Sequence, residues 1–162
     1  FICCYNERFL RTCIEANVLV HFKGLLDHKD VSVRKEVAWS LAMLVSKSHE
    51  LIQACLDHGL ISNLISKMTC DGDSKVRDQA IWAVSNALYK CRPDQALSMV
   101  ADLSFFQHAC GVLDQLRDLK LIFVVLECVA FAIDHGLKLP RVNGGQNVVV
   151  NALQQTELVG KL

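Results

Sequence analysis

Val33-Arg34-Lys35-Glu36-Val37-Ala38-Trp39-Ser40-Leu41 and Val76-Arg77-Asp78-Gln79-Ala80-Ile81-Trp82-Ala83-Val84 are two copies of one phrase, their tryptophans 43 residues apart. A period of this length belongs to helical solenoids, in which one unit cannot bury its apolar face alone and stacks on the next. Chains of this kind usually hold a partner along a concave surface.

Working outward from the two phrases, the apolar spacing predicts three helices per unit. The first unit, about 6–46, has helices from about Asn6 to Ala16, Val18 to Leu26 and Val31 to Ser46. Asn17 is placed for a left-handed residue between the first two. Asp30 or Ser32 is placed to cap the third. The second unit, about 48–91, repeats the plan with helices Glu50–Asp57, Leu60–Met68 and Lys75–Lys90. Gly59 stops the first of these. Thr69-Cys70-Asp71-Gly72-Asp73 reads as a turn cluster, with Asp73 or Ser74 as cap. The third unit, about 93–135, opens at Pro93, which suits a first helical turn running on through Val100. Helices over Phe105–Leu116 and Leu119–His135 follow, the latter unusually apolar. Gly136, Pro140 and Gly144-Gly145 read as a loop, and Asn147 begins a partial fourth unit, 147–162. No alternating strand pattern occurs, so the predicted class is all-α: a right-handed superhelical solenoid of about three repeats and a partial one.

The 162 residues are enough for one domain with a sizeable core. Seventeen basic residues balance seventeen acidic ones, which argues against a nonspecific nucleic-acid or membrane-surface protein. No apolar run reaches membrane-spanning length without a polar break, and the chain reads as soluble. The eight cysteines form no C-x-x-C pair and no zinc spacing, so they read as reduced, mostly buried thiols. No cofactor or metal is expected. The chain starts without a methionine or a signal peptide and stops inside an apolar pattern. It reads as part of a longer solenoid, whose true ends need polar faces.

On the third helix of the first unit, Val33, Val37, Leu41 and Leu44 form the predicted core stripe. Trp39 is two positions from both Val37 and Leu41, roughly 200° around the helix. In the second unit Val76, Ala80, Val84 and Leu88 make the stripe and Trp82 lies opposite. Tryptophans on adjacent helices about 8–10 Å apart leave a slot about one lysine or arginine stem wide, with ring faces that attract its cation. Packing against the neighbouring unit is the plainer role for such a ring. Asn86, one turn after Trp82, carries a donor and an acceptor for an extended peptide backbone, and Ser85 adds a smaller polar group. Glu36, three before Trp39, is placed to pair with a basic side chain.

This pattern resembles the armadillo repeats of the importin-alpha family, adaptors that bind nuclear localisation signals. The family motif, a Trp followed four residues later by Asn, is met in full by Trp82-Ala83-Val84-Ser85-Asn86. Val33–Trp39 and Leu51–Ile61 are similar to the family's third helix and to its helix, glycine turn and second helix. The resemblance covers essentially the whole chain and its order suggests the carboxy-terminal repeats, where the minor signal-binding site lies. It implies that Trp39 and Trp82 stack on lysine stems, that Asn86 holds the peptide backbone and that Glu36 adds negative potential. It also implies cargo proteins bearing localisation signals, importin-beta and an export receptor as partners, and a location in cytoplasm and nucleus. Met43 stands where the first repeat should have Asn, Gln79 where Glu is frequent, and Glu127 and Phe131 at the Trp and Asn positions of the third unit. The expected function is therefore reversible binding of basic extended peptides. The competing expectation is an armadillo scaffold in signalling, adhesion or the cytoskeleton. Six scattered histidines, with no Ser-His-Asp grouping, P-loop or dinucleotide fingerprint, argue against an enzyme.

Overall fold

The computed structural model describes Thr12, residues 17–100, 104–137 and 147–156, and Gly160. Nine helices lie within these residues: α1 (Leu19–Leu26), α2 (Val31–Val45), α3 (His49–Asp57), α4 (Leu60–Cys70), α5 (Ser74–Lys90), α6 (Pro93–Val100), α7 (Ser104–Gln115), α8 (Leu119–Leu137) and α9 (Val148–Gln154). No strand occurs among the described residues.

The helices form three parallel stacks. The long third helices α2, α5 and α8 lie side by side; α1, α4 and α7 form a second row; α3 and α6 pair in a third. This is an α-solenoid. Local chemistry sets each start. Asp30 accepts from the Ser32 amide at 2.8 Å and Asp73 from the Lys75 amide at 2.9 Å, so aspartate, not the following serine, is the cap in both units. Ser48 caps α3 and Asn147 caps α9. Asn17 and Gly59 take the left-handed backbone, with φ 57° and 67°, which turns the chain sharply into α1 and α4.

The third helices are buried more broadly than one stripe. On α5, Val76, Ala80, Val84 and Leu88 are buried as expected, and Ile81, Ala83 and Ala87 join them. On α2, Val37, Leu41 and Leu44 are joined by Ala38, Ala42 and Val45, while Val33 is half-buried against the core. The cause is position: α5 has α2 on one side, α8 on the other and α4 beneath. Small alanines on the flanks let the neighbouring backbones come close.

Two predicted breaks are corrected. Thr69 and Cys70 belong to α4, not to the turn; the Thr69 hydroxyl bonds the Ser66 carbonyl and the His108 ring on α7, so the extra turn is held by its own polar groups. Gly136 lies within α8 and does not end it. Its carbonyl accepts from the Asn147 side chain, and Val149 sits where a β-carbon on residue 136 would be. The glycine therefore serves the close docking of α9. The predicted helix Asn6–Ala16, apart from Thr12, and the loop at Pro140 and Gly144-Gly145 lie outside the described residues.

Polar contacts lock the units at defined points. Gln95 on α6, fully buried, donates to the His49 carbonyl at 2.8 Å and to Gln53 Oε1 at 3.2 Å, both on α3. At the junction of the first two units the Asp71 carboxylate is 2% exposed and receives the Arg34 fork, Nε and Nη2, at 2.9 Å each. The Asp73 amide also donates to it, at 3.0 Å. Lys67 links Asp71 at 3.5 Å to Asp27 at 2.8 Å. A bidentate arginine–carboxylate pair of this kind is strong only because every oxygen is satisfied.

Burial alone would raise the Asp71 pKa, but the Arg34 hydrogen bonds, the Asp73 amide and the charges of Arg34 and Lys67 outweigh it and hold the carboxyl below its ordinary value. A depressed carboxyl stabilises the fold above the pKa it has in the unfolded chain, and that contribution is lost as pH falls through the folded value. Asp71→Asn is expected to cost about 2 kcal/mol at neutral pH. Thermal melts across a pH series should show its gap to the parent chain closing in acid, as the pH falls below the ordinary carboxylate range.

Candidate peptide-binding face

On α2, α5 and α8 the side turned away from the neighbouring helices leaves a strip uncovered. On α5 the strip is Lys75, Asp78, Gln79, Trp82, Asn86 and Tyr89, at spacings of three and four. Trp82 is 41% exposed and Tyr89 76%. On α2 it holds Lys35, Glu36, Trp39 and Met43, with Trp39 half-buried. On α8 Phe123 and Glu127 are exposed and Phe131 half-buried.

Two clefts lie along this face. A cleft of about 470 Å³ is lined by Lys35, Glu36 and Trp39 from α2 and by Lys75, Asp78 and Gln79 from α5. Trp39 thus faces the Asp78–Gln79 turn of the next helix, and Trp82 is not in that lining. The simple slot between two tryptophans is replaced by a site with one ring, two carboxylates, two ammonium groups and a carboxamide. Glu36 is exposed and paired with Lys35 at 3.2 Å, a pairing that water screens strongly. Burial, together with the negative charges of Asp118 and Asp73, raises the Asp78 pKa against the opposing charge of Arg77.

The second cleft, about 280 Å³, lies between α5 and α8 and is lined by Ser85, Asn86, Tyr89, Glu127, Cys128 and Phe131 among others. Tyr89 and Phe131 meet with ring centroids 5.4 Å apart, and Phe131 stacks on His135 at 4.9 Å. This aromatic column was not expected as part of a site; Phe131 figured only as a departure from the Trp/Asn pattern. Its signal was present as Phe131 and His135 four apart on one helix, one repeat on from Tyr89.

Asn86 is not a wholly free clamp. Its amide nitrogen donates to the Ala42 carbonyl on α2 at 3.0 Å, which corrects the expectation that the carboxamide is available in either sense. The carboxamide oxygen has no partner among the described residues, so acceptance from a ligand N–H is the role left open. Ser85 hydrogen-bonds the Cys128 thiol, which burial nevertheless pushes up to about 11. Burial likewise pushes Cys55 up to about 12. Such thiols are not nucleophiles at neutral pH. Among the described residues no three His, Cys, Asp or Glu side chains are grouped to hold a metal, and no single helix is long and apolar enough to cross a membrane.

The Asn86–Ala42 bond makes a prediction independent of any ligand. Asn86→Ala is expected to lower stability by about 1 kcal/mol, seen as a reduced melting temperature of the unliganded chain. A binding assay on that variant must therefore be read beside its melting curve.

Comparison with known proteins bears on the fold. No family model matches the chain. It is similar to importin subunit alpha-6 of Arabidopsis thaliana, 30% identical over 111 residues, covering 65% of this chain and 20% of that protein. It is also similar to the Hsp70 nucleotide exchange factor fes-1 of Neurospora crassa, 33% identical over 103 residues, covering 59% of this chain and 41% of that protein. The chain thus spans well under half the length of either relative. Among solved structures, the designed armadillo repeat protein YIII(Dq)4CqI superposes with a TM-score of 0.68 at 20% identity, over 94% of this chain and 68% of the design. A second design, YIII(Dq.V1)4CPAF in complex with the peptide (KR)4, gives 0.57 at 21% identity over 93% of this chain and 67% of that one. The fold is that of an armadillo-repeat solenoid.

Proposed function

We propose that the strip along α2, α5 and α8 binds an extended basic peptide, and that the chain serves as a localisation-signal-binding segment of a nuclear import adaptor. The observation that carries the reading is the 470 Å³ cleft, in which Trp39 is opposed by Asp78 and Gln79 with Glu36 at its edge. A lysine or arginine stem lying on the ring brings its cation to the carboxylates, where the ring quadrupole and the acids act together. One turn on, the Asn86 oxygen accepts a peptide N–H while Trp82 offers an open ring face. Support from outside the chain comes from the partial likeness to an importin alpha subunit and from the designed solenoid of the same fold that carries a lysine–arginine peptide. In this reading the protein works in cytoplasm and nucleus, on cargo proteins, without chemistry.

The local chemistry also argues for modest affinity. Lys35 and Lys75 share the cleft with the acids, Met43 supplies no second amide, and Glu127 replaces the third ring. A second reading, a scaffold for a different protein partner, is favoured by the comparable likeness to an Hsp70 nucleotide exchange factor and by the Tyr89–Phe131–His135 column, which suits an apolar or aromatic side chain better than a lysine stem.

Titration with a fluorescent lysine-rich peptide, read by quenching of the two tryptophans, tests the proposal. Saturable binding is expected, weakening with added salt and about tenfold weaker in Trp82→Ala, the equivalent of about 1.4 kcal/mol. A folded chain that ignores the basic peptide would leave the scaffold reading standing.

A further inference from the structure

The arginine phrase repeats with the tryptophan phrase, but among the described residues only one of its two copies has its carboxylate. Arg34 and Arg77 each sit four residues after the aspartate that caps their helix, Asp30 and Asp73. Each donates Nη1 to the carbonyl two residues before that cap, Arg34 to His28 at 2.8 Å and Arg77 to Asp71 at 2.7 Å. From there the copies diverge. The Arg34 fork closes on Asp71, which lies two residues before the cap Asp73 of the following unit and also takes that residue's amide hydrogen. In the next unit the cap is Asp118, which accepts from the Lys120 amide at 2.8 Å, and the residue two before it is Leu116. Lys67, the other cation on Asp71, is likewise matched by Val112.

Arg77 therefore keeps the position of Arg34 without its acid. Among the described residues neither its Nε nor its Nη2 has a partner, and neither does the Asp118 amide. Leu116 does not fill the space: a cleft of about 180 Å³ remains there, lined by Arg77, Ser74, Val112, Leu116, Arg117 and Asp118 among others. A guanidinium fork and one backbone N–H around a small cleft are the donors that the neighbouring unit, with Lys67 in addition, uses to hold a carboxylate.

We propose that this cleft, at the turn between α7 and α8, is a binding socket for a carboxylate group carried by another molecule, with Arg77 Nε and Nη2 and the Asp118 amide as donors. A monoanion suits it. Asp78 and Asp118 both line the cleft and repel a doubly charged phosphate more strongly than a singly charged carboxylate, whose planar shape also matches the fork. The socket lies at the helix turns and adjoins the 470 Å³ cleft, the two sharing Asp78 in their linings; its donors, Arg77 and the Asp118 amide, are outside the lining of that cleft.

The test combines ligand titration with an internal replacement. With ¹⁵N-labelled chain, the Arg77 Nε–H resonance is followed during addition of sodium acetate, with sodium chloride at equal ionic strength and sodium phosphate as comparisons. A saturable acetate shift is expected, larger than for phosphate, absent with chloride and lost in Leu116→Asp, which supplies the missing acid. N-acetyl-aspartate amide and N-acetylglycine then separate a side-chain carboxylate from a chain terminus as the source. Leu116→Asp should also melt several degrees above Leu116→Asn, an advantage that disappears in the Arg77→Gln background. The isosteric amide control separates the socket from the simple loss of a leucine. An acetate response no different from chloride, a preference for phosphate, or an Asp-over-Asn difference that survives Arg77→Gln would each overturn the proposal.

Discussion

The central constraint is the close side-by-side packing of the third helices. Ala38 and Ala42 on α2, and Ala80, Ala83 and Ala87 on α5, are all buried, and their small side chains bring backbones near enough for one helix to touch its neighbour's carbonyl. Once α5 is enclosed between α2 and α8, with α4 beneath, only a strip one residue wide per turn can meet solvent. The exposed face is thus a by-product of packing. What chemistry it carries is then left to the few residues at those strip positions.

Much of the fold was legible because the repeated phrase and its 43-residue spacing are local signals. Helix starts were written in Asp30, Asp73 and Pro93, and the sharp turns in Asn17 and Gly59. The misreadings were tertiary. Thr69 and Cys70 look like turn residues, yet Thr69 finds His108 on another helix. Gly136 looks like a stop, yet it makes room for Val149. Neither partner is near in sequence, so no local rule can supply it.

The candidate face was legible to a lesser degree. Helical periodicity correctly put Trp82 outside, because the opposite side of α5 is plainly apolar. It did not show that Trp39 is half-buried against the turn that carries Asp78 and Gln79, because that depends on how two helices are offset. It also treated the Asn86 carboxamide as one unit, when its nitrogen end and its oxygen end face different demands.

The Asn86–Ala42 hydrogen bond has a mechanical consequence. Faces of alanine and valine are smooth and would tolerate one helix sliding along the next by a residue, a shift of about 1.5 Å. A carbonyl is a single point on that surface, and an amide that meets it at 3.0 Å loses it on such a slip. The bond therefore acts as an index pin between the first two units. It keeps the rows of strip residues in step, so that Trp39 stays level with Gln79 instead of drifting past it.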